Sequence, residues 1–313
     1  MKILLTGASG MVGKNILSDS RSSSYDFLVP KRSEVNLLNY IELDEYISSL
    51  KPDLVIHAAG KVGGIQANIN NPLSFFKENL EMGMNIINAC SHHKIPELIN
   101  IGSSCMYPRN INHPLKEDLI LKGELEPTNE GYALAKIAIA KHCEYVTKTK
   151  GLNYKTIIPC NLYGPYERFD HENSHMIAGV IKKLDDAKRC NYEKVDIWGD
   201  GEARREFMCA IDLADFIFYA ITKLDIMPQN LNVGLGFDMS INDYYMEIAK
   251  VVGFKGYFIN DLSKPEGMKR KLVDISRLEE FGWKHKISLK KGLQETYKYF
   301  LTKQNDEMSI YSE

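Results

Sequence analysis

The sequence predicts an α/β protein with a doubly wound parallel sheet, and three observations predict it. A short apolar run, Lys2-Ile3-Leu4-Leu5-Thr6, ends in a Gly-rich turn and enters a helical stretch. Apolar strand-like runs then alternate with amphipathic helix-like stretches as far as Pro159. That is the pattern of β-α-β units, which make parallel sheets. The strands run out into small or polar residues, leaving space beyond their carboxyl ends, where open α/β sheets bind ligands.

The first turn reads Gly7-Ala8-Ser9-Gly10-Met11-Val12-Gly13, a G-x-x-G-x-x-G spacing. Between a strand and a helix, such glycines let the backbone approach a pyrophosphate, and the helix N-terminus favours its negative charge. Gly7, Gly10, Met11, Val12 and Gly13 are therefore the expected contacts of a dinucleotide cofactor. The second strand is expected at Phe27-Leu28-Val29. An NAD-selective site carries an acid near the end of that strand. Here Pro30-Lys31-Arg32-Ser33 presents two cations instead, which a 2'-phosphate needs. Lys31 and Arg32 thus point to NADP(H), with Asn36 and Leu37 bordering the adenine.

The third strand, Leu54-Val55-Ile56-His57, runs into Ala58 and Ala59, small enough to admit a cofactor against the backbone. The loop Gly60-Lys61-Val62-Gly63-Gly64-Ile65 lies beyond it. A helix is expected from Phe75 to Cys90, and a fourth strand from Glu97 to Ile101 that delivers Ser103 and Cys105 to the same sheet edge. A second helix spans Tyr132 to Tyr145, and a fifth strand Lys155 to Pro159. On that helix Tyr132 and Lys136 are four residues apart and share a face. A Lys near a phenol favours the phenolate and lowers its pKa, so the Tyr can serve as a general acid or base near neutrality.

Past Asn161-Leu162-Tyr163-Gly164-Pro165 the chain becomes more irregular and polar. A helix is expected from Met176 to Lys188, then strand and turn over Val195 to Gly201. A helix over Asp212 to Thr222, a strand at Leu231 to Gly234 and a helix over Ile241 to Val252 follow. Residues 1–164 form the expected cofactor domain, to which the chain returns in part near 204–236. Residues 165–313 mainly form the expected substrate lobe. The polar tail after Gln304 is expected to fray.

Bulk properties narrow the function. The 313 residues are 44% apolar, enough for a large core and one or two domains. Net charge is −2, so no basic field indicates nucleic acid. No run approaches the ~20 apolar residues of a membrane span. The N-terminal run reads as a buried strand and not a signal peptide. Six cysteines are scattered without a C-x-x-C pair, which fits reduced thiols in the cytoplasm and no disulfide or metal site.

Taken together, the residues resemble the extended short-chain dehydrogenase/reductase family, within it the GDP-L-fucose synthase group. The resemblance is carried from about residue 2 to residue 301 by the three glycines, Lys61-Val62-Gly63-Gly64-Ile65, Gly102-Ser103-Ser104-Cys105 with Tyr107-Pro108, and Glu126-Pro127-Thr128-Asn129-Glu130. It continues through Tyr132 and Lys136, Asn161 to Pro165, Asn173-Ser174-His175, Trp198-Gly199, Arg205-Glu206-Phe207, and Ser263-Lys264-Pro265 to Lys271-Leu272. It implies a Rossmann-type doubly wound sheet with a smaller C-terminal α/β substrate lobe, NADP(H), a GDP-sugar substrate and a homodimer built on the two helices named above. Tyr132 is then the proton donor to the sugar's C4 oxygen, Lys136 holds the nicotinamide ribose, and Ser103 hydrogen-bonds the reacting carbonyl. Cys105 and His175 match the epimerisation pair. Arg205 and Lys183 grip the pyrophosphate, and Asn161, Trp198 and Lys271 fall among the substrate contacts.

Three departures from the group's pattern stand near the sugar: Gly164-Pro165-Tyr166-Glu167-Arg168-Phe169, Gly131 before Tyr132, and Pro265-Glu266-Gly267-Met268. They raise an alternative, a C4-reductase of a GDP-4-keto-6-deoxy-heptose with epimerisation lost. A 4,6-dehydratase would carry acids where Ser104 and Cys105 stand. An epimerase retaining NAD would carry an acid in place of Lys31 or Arg32. A non-catalytic NADP sensor would have lost Ser103, Tyr132 or Lys136.

Overall fold

The structure is a computed structural model that describes residues 1–111, 114–170, 174–264 and 268–310. Asn173 and the departure at Pro265-Glu266-Gly267 lie outside the described residues. The chain enters on β1 (Lys2–Thr6) and turns into α1 (Met11–Ser18), then β2 (Asp26–Leu28), α2 (Tyr40–Leu50) and β3 (Leu54–His57). Next come α3 (Ile65–Asn70), α4 (Pro72–His92), β4 (Glu97–Ile101), α5 (Glu130–Lys150) and β5 (Asn153–Pro159). After β6 (Asn161–Tyr163) follow α6 (Met176–Arg189), β7 (Lys194–Trp198), β8 (Arg204–Arg205), β9 (Phe207–Cys209), α7 (Ala210–Ile221) and β10 (Asn230–Val233). The C-terminal part holds β11 (Met239–Ser240), α8 (Ile241–Val252), β12 (Tyr257–Asp261), β13 (Arg270–Lys271), α9 (Ser276–Phe281) and α10 (Leu289–Ile310).

Six strands form the central sheet in the order β2-β1-β3-β4-β5-β10, and every neighbouring pair is parallel. The chain leaves β1 toward β2 on one side and resumes with β3 on the other. The strand order therefore reverses between β1 and β3, which opens a crevice at their carboxyl ends. Alternation along each strand loads both faces. Ile3, Leu5, Ile56, Ile99 and Ile157 join Leu213, Phe216 and Ile217 of α7. Leu4, Val55, Leu98 and Tyr154 face Leu43 and Ile47 of α2, Ile86 and Ile87 of α4, and Ile139 and Cys143 of α5. Burial on both faces is why these strands read as continuous apolar runs. Each such buried Leu or Ile contributes roughly 1.5–3 kcal/mol. Helices α4 and α5 pack closely: a Cβ on Gly83 would lie 2.4 Å from the Ile139 side chain.

A second core joins α6, α8, α10 and β7 through Ile177, Ile181, Leu184, Ile197, Ile248, Val252, Leu293 and Phe300. Between the two cores run the short pairings that carry the site, β6 with β9 and β8 with β11 and β13. Two local expectations change. The second strand is one residue earlier than Phe27–Val29, because Lys2 pairs with Asp26 and Leu4 with Leu28. The helix continues past Gln304, where fraying is expected, since α10 runs to Ile310. Buried Phe300 anchors that helix, Arg189 bonds the Gln304 side chain, and no Gly or Pro follows Gly292 to stop it. Among the described residues no helix is long and apolar enough to cross a membrane.

Candidate active site

The Gly-rich turn sits at the crevice between β1 and β3. Gly7 has φ +72, and a Cβ there would meet the backbone of Ala58 and Ala59 at 2.5–2.7 Å. A Cβ on Gly13 would lie 2.4 Å from the Gly7 carbonyl oxygen. Only glycine permits this packing of turn, helix and β3 end. Gly10 caps α1 without a side-chain hydrogen bond, so the first amides of α1, from Met11 and Val12, have no side-chain acceptor there. The Ala59 amide donates to Thr6 Oγ1 at 3.3 Å, fixing the two strand ends together.

Lys31 and Arg32 are both exposed just past β2. Arg32 lies close enough to Glu78 on α4 to help hold that carboxyl below its ordinary range, behind the larger effects of Lys61 and Ser74. The Asn36 side chain turns back to the Leu38 amide at 3.1 Å, and the Leu37 carbonyl accepts from Asn85 Nδ2 at 3.0 Å. The Gly cradle, the uncapped helix start and the two exposed cations fit a dinucleotide carrying a 2'-phosphate.

Beyond β4 the chain makes one 3₁₀ turn over Ser104–Met106, whose N-cap Ser103 accepts from the Cys105 amide at 3.2 Å. Helix α5 brings Tyr132 and Lys136 beneath this turn. Lys136 is buried and donates to the Ile101 carbonyl at 2.8 Å, with its ammonium 5.8 Å from the Tyr132 ring centroid. Burial lowers the Lys136 pKa to about 8. A Cβ on Gly60 would stand 3.7 Å from Lys136 Nζ, so the loop after β3 closes over the same spot.

Tyr132 corrects one expectation. Its pKa is raised, first by burial and then by the charge of Cys105, against a lowering hydrogen bond from Ser103. Lys136, whose ammonium is directed at a β4 carbonyl, is not among the groups that set it. The phenol is therefore held protonated at neutral pH, the form a proton donor needs.

Cys105 is tuned the other way. Burial opposes its ionisation, but Lys271, Ser103 and Arg205 outweigh burial and lower the pKa. Lys271 Nζ lies 3.2 Å and Asn129 Nδ2 3.3 Å from its sulfur. The placement of Lys271 follows from sheet register. Lys271 pairs with Arg205 across β13 and β8, which sets the two cations side by side. Behind them Glu206 is fully buried and accepts from the amides of Val273 at 3.0 Å and Gly236 at 2.9 Å, and also from Leu235. Burial raises its pKa to about 7. Burial likewise lowers the Arg205 pKa, while Glu126 and Cys105 act to raise it. Sequence reading assigned Lys271 to the substrate and singled out Asn129 only as part of a motif. Their contacts with Cys105 span 166 and 24 residues, beyond the reach of any local spacing.

The remaining predicted residues line the flank of the second core. His175 is the N-cap of α6. It faces Glu167, whose carboxyl is raised first by burial and lowered by the His175 charge. The Ser174 carbonyl would touch a Cβ on Gly64 at 3.2 Å, which sets this segment against the loop after β3. Lys183 is engaged by Asp196, at 2.8 Å to its carboxylate and 2.7 Å to its carbonyl. Trp198 is 54% exposed, with Lys264 Nζ 5.6 Å from its ring centroid. Asn161 Nδ2 donates to the Glu206 carbonyl at 3.0 Å. Of the departures, Arg168 is exposed and donates its amide to Glu167 at 2.9 Å. Gly131 has a spatial reason: a Cβ there would lie 2.9 Å from the Pro72 carbonyl.

A dinucleotide cradle at the switch point, with Ser103, Tyr132 and Lys136 beside it, defines a nicotinamide-dependent oxidoreductase of the doubly wound class. The chain matches the NAD dependent epimerase/dehydratase family over residues 3–234, and it belongs to that family. It is 56% identical to the GDP-L-colitose synthase of Yersinia pseudotuberculosis, over 98% of this chain and 100% of that one. It is 45% identical to the GDP-L-fucose synthase of Azorhizobium caulinodans, over 96% of each. Among solved structures it resembles the GDP-mannoheptose C4 reductase of Campylobacter jejuni with NADP bound (TM-score 0.87, 30% identity, 96% of this chain and 98% of that one).

Proposed function

We propose that the protein reduces the 4-keto group of a GDP-4-keto-6-deoxyhexose with NADPH and epimerises the carbons beside that group. The cradle at Gly7, Gly10 and Gly13 holds the cofactor, and Lys31 with Arg32 receives its 2'-phosphate. When bound, NADPH supplies the hydride. Tyr132 gives its proton to the C4 oxygen, and Ser103 hydrogen-bonds that oxygen. Lys136 keeps a positive charge under the phenol as it becomes phenolate. Cys105, as thiolate, takes the acidic proton alpha to the ketone. His175 returns a proton from the opposite face. Arg205, Lys183, Asn161 and Trp198 accommodate the GDP end, in a cytoplasmic homodimer built on α4 and α5.

The observation that carries this reading is the opposed tuning of two neighbouring groups. Burial and the Cys105 charge raise the Tyr132 pKa, while Lys271, Ser103 and Arg205 lower that of Cys105, which suits the first to give a proton and the second to take one. A heptose C4-reductase alone would not need a cysteine with Lys271 and Asn129 set on its sulfur. The two relatives differ in the sugar they name, L-colitose being L-fucose without its 3-hydroxyl, so the assay offers both precursors. The protein with NADPH and either GDP-4-keto-6-deoxy-D-mannose or its 3-deoxy analogue is expected to oxidise NADPH stoichiometrically and yield an L-configured GDP-sugar by NMR. No NADPH oxidation with either sugar would overturn the proposal, and a product still in the D-configuration would remove the epimerisation.

A further inference from the structure

Asn129 is the N-cap of α5, the position where an Asn side chain ordinarily bonds the first free amides of a helix. Here it makes no such bond. Its amide nitrogen is directed instead at Cys105 Sγ, 3.3 Å away. Its Oδ1 is buried and has no hydrogen-bond partner. A buried amide oxygen without a donor is unfavourable. The helix start thus forgoes a cap, and the same side chain leaves an acceptor unmet, both next to the thiol. A local structural role explains neither feature. A side chain that holds the sulfur with one end and receives a substrate donor with the other explains both.

We infer that Asn129 is a positioning residue for epimerisation, donating through Nδ2 to the Cys105 thiolate and accepting through Oδ1 from a hydroxyl of the bound sugar. Lys271 approaches the same sulfur at 3.2 Å. The thiolate therefore has two donors, one charged and one neutral, which fix its lone pairs toward the carbon that loses its proton. The substrate part of the inference rests on the proposed function, while the contact of Asn129 with the sulfur stands on geometry alone.

Two variants separate the ends of the amide. Asn129→Asp keeps an acceptor oxygen and loses the donor; Asn129→Ala loses both. The first readout is peptide-resolved alkylation of Cys105 by iodoacetamide against pH, with exposed Cys190 as the internal standard. In Asn129→Ala the Cys105 profile moves to higher pH, and its rate at pH 7 falls about fivefold relative to Cys190. The second readout is KM for the GDP-4-keto-6-deoxyhexose that the protein turns over. It rises about tenfold in Asn129→Ala and less than threefold in Asn129→Asp. Thermal melting and NADPH affinity equal to those of the unaltered protein confirm folding, and Asn129→Leu, close to Asn in size and without donor or acceptor, takes the place of the Ala variant should that one not fold. A Cys105 profile unmoved in the Ala variant would overturn the donor role. Equal rises in KM for Ala and Asp would overturn the acceptor role. If the unaltered protein consumes neither sugar, the proposed function fails, and the alkylation profile still decides whether Asn129 sets the thiolate.

Discussion

Lys271→Met removes the ammonium that lies 3.2 Å from Cys105 Sγ. Lys271 is 9% exposed, so solvent does little to screen the pair. At an effective dielectric constant of about 20, unit charges at that distance interact by about 5 kcal/mol. Arg205 and Asn129 stay in place. Keeping about a third of the gross figure leaves about 1.5 kcal/mol, a tenfold fall in thiolate population near neutral pH. The assay is solvent deuterium incorporation into the sugar at pH 7, beside alkylation of Cys105 across pH. Lys271→Met should exchange about tenfold more slowly and recover as pH rises and the thiol ionises unaided. Lys271→Arg, which keeps the charge, should lose much less. Equal exchange in Lys271→Met and the unaltered protein would refute the electrostatic argument, as would an Arg variant no better than Met.

Other perturbations probe the cofactor site, the pH dependence and the core. Joint replacement of Lys31 and Arg32 by Ala should weaken NADPH by about tenfold or more and leave NADH nearly unchanged, read by fluorescence titration. Equal losses for both cofactors would refute the 2'-phosphate assignment. The Cys105 charge raises the Tyr132 pKa, so Cys105→Ala should move the alkaline limb of the reduction rate to lower pH. A limb that stays or moves upward contradicts the coupling. His57 is buried against Thr6 Oγ1 at 2.9 Å, and burial, helped by the Lys136 charge, lowers its pKa to about 3 from 6.5. The unfolded chain therefore binds this proton below pH 6.5 while the folded protein does not, so stability falls as pH drops from about 6.5 toward 3. The loss attributable to His57 reaches about 3 kcal/mol at pH 4. Urea midpoints of His57→Asn should lack that part of the slope; an identical slope refutes it.

Local rules carried much of this protein. The alternation of Ile3-Leu4-Leu5 against Leu54-Val55-Ile56 marks strands buried on both faces, and the glycine spacing marks the turn between them. The four-residue spacing put Tyr132 and Lys136 on one face. It could not show that burial and the Cys105 charge raise the phenol, or that the Lys136 ammonium bonds the Ile101 carbonyl. The thiolate's partners were equally out of reach. Lys271 arrives through a two-residue pairing with Arg205, and that pairing depends on Glu206 pinning the amides of Leu235, Gly236 and Val273. Strands as short as β6 and β9 have too few residues to display a period, so their parallel pairing left no trace in the sequence.

Under the proposed function two proton-transfer centres share one site, with Tyr132 serving reduction and Cys105 serving exchange beside the ketone. The most direct test is the deuterium content of the GDP-4-keto sugar recovered after incubation of Tyr132→Phe with NADPH in D2O. Label is expected on the carbons flanking the ketone while NADPH stays unconsumed. A sugar recovered without label, from a variant that still binds NADPH, would contradict it.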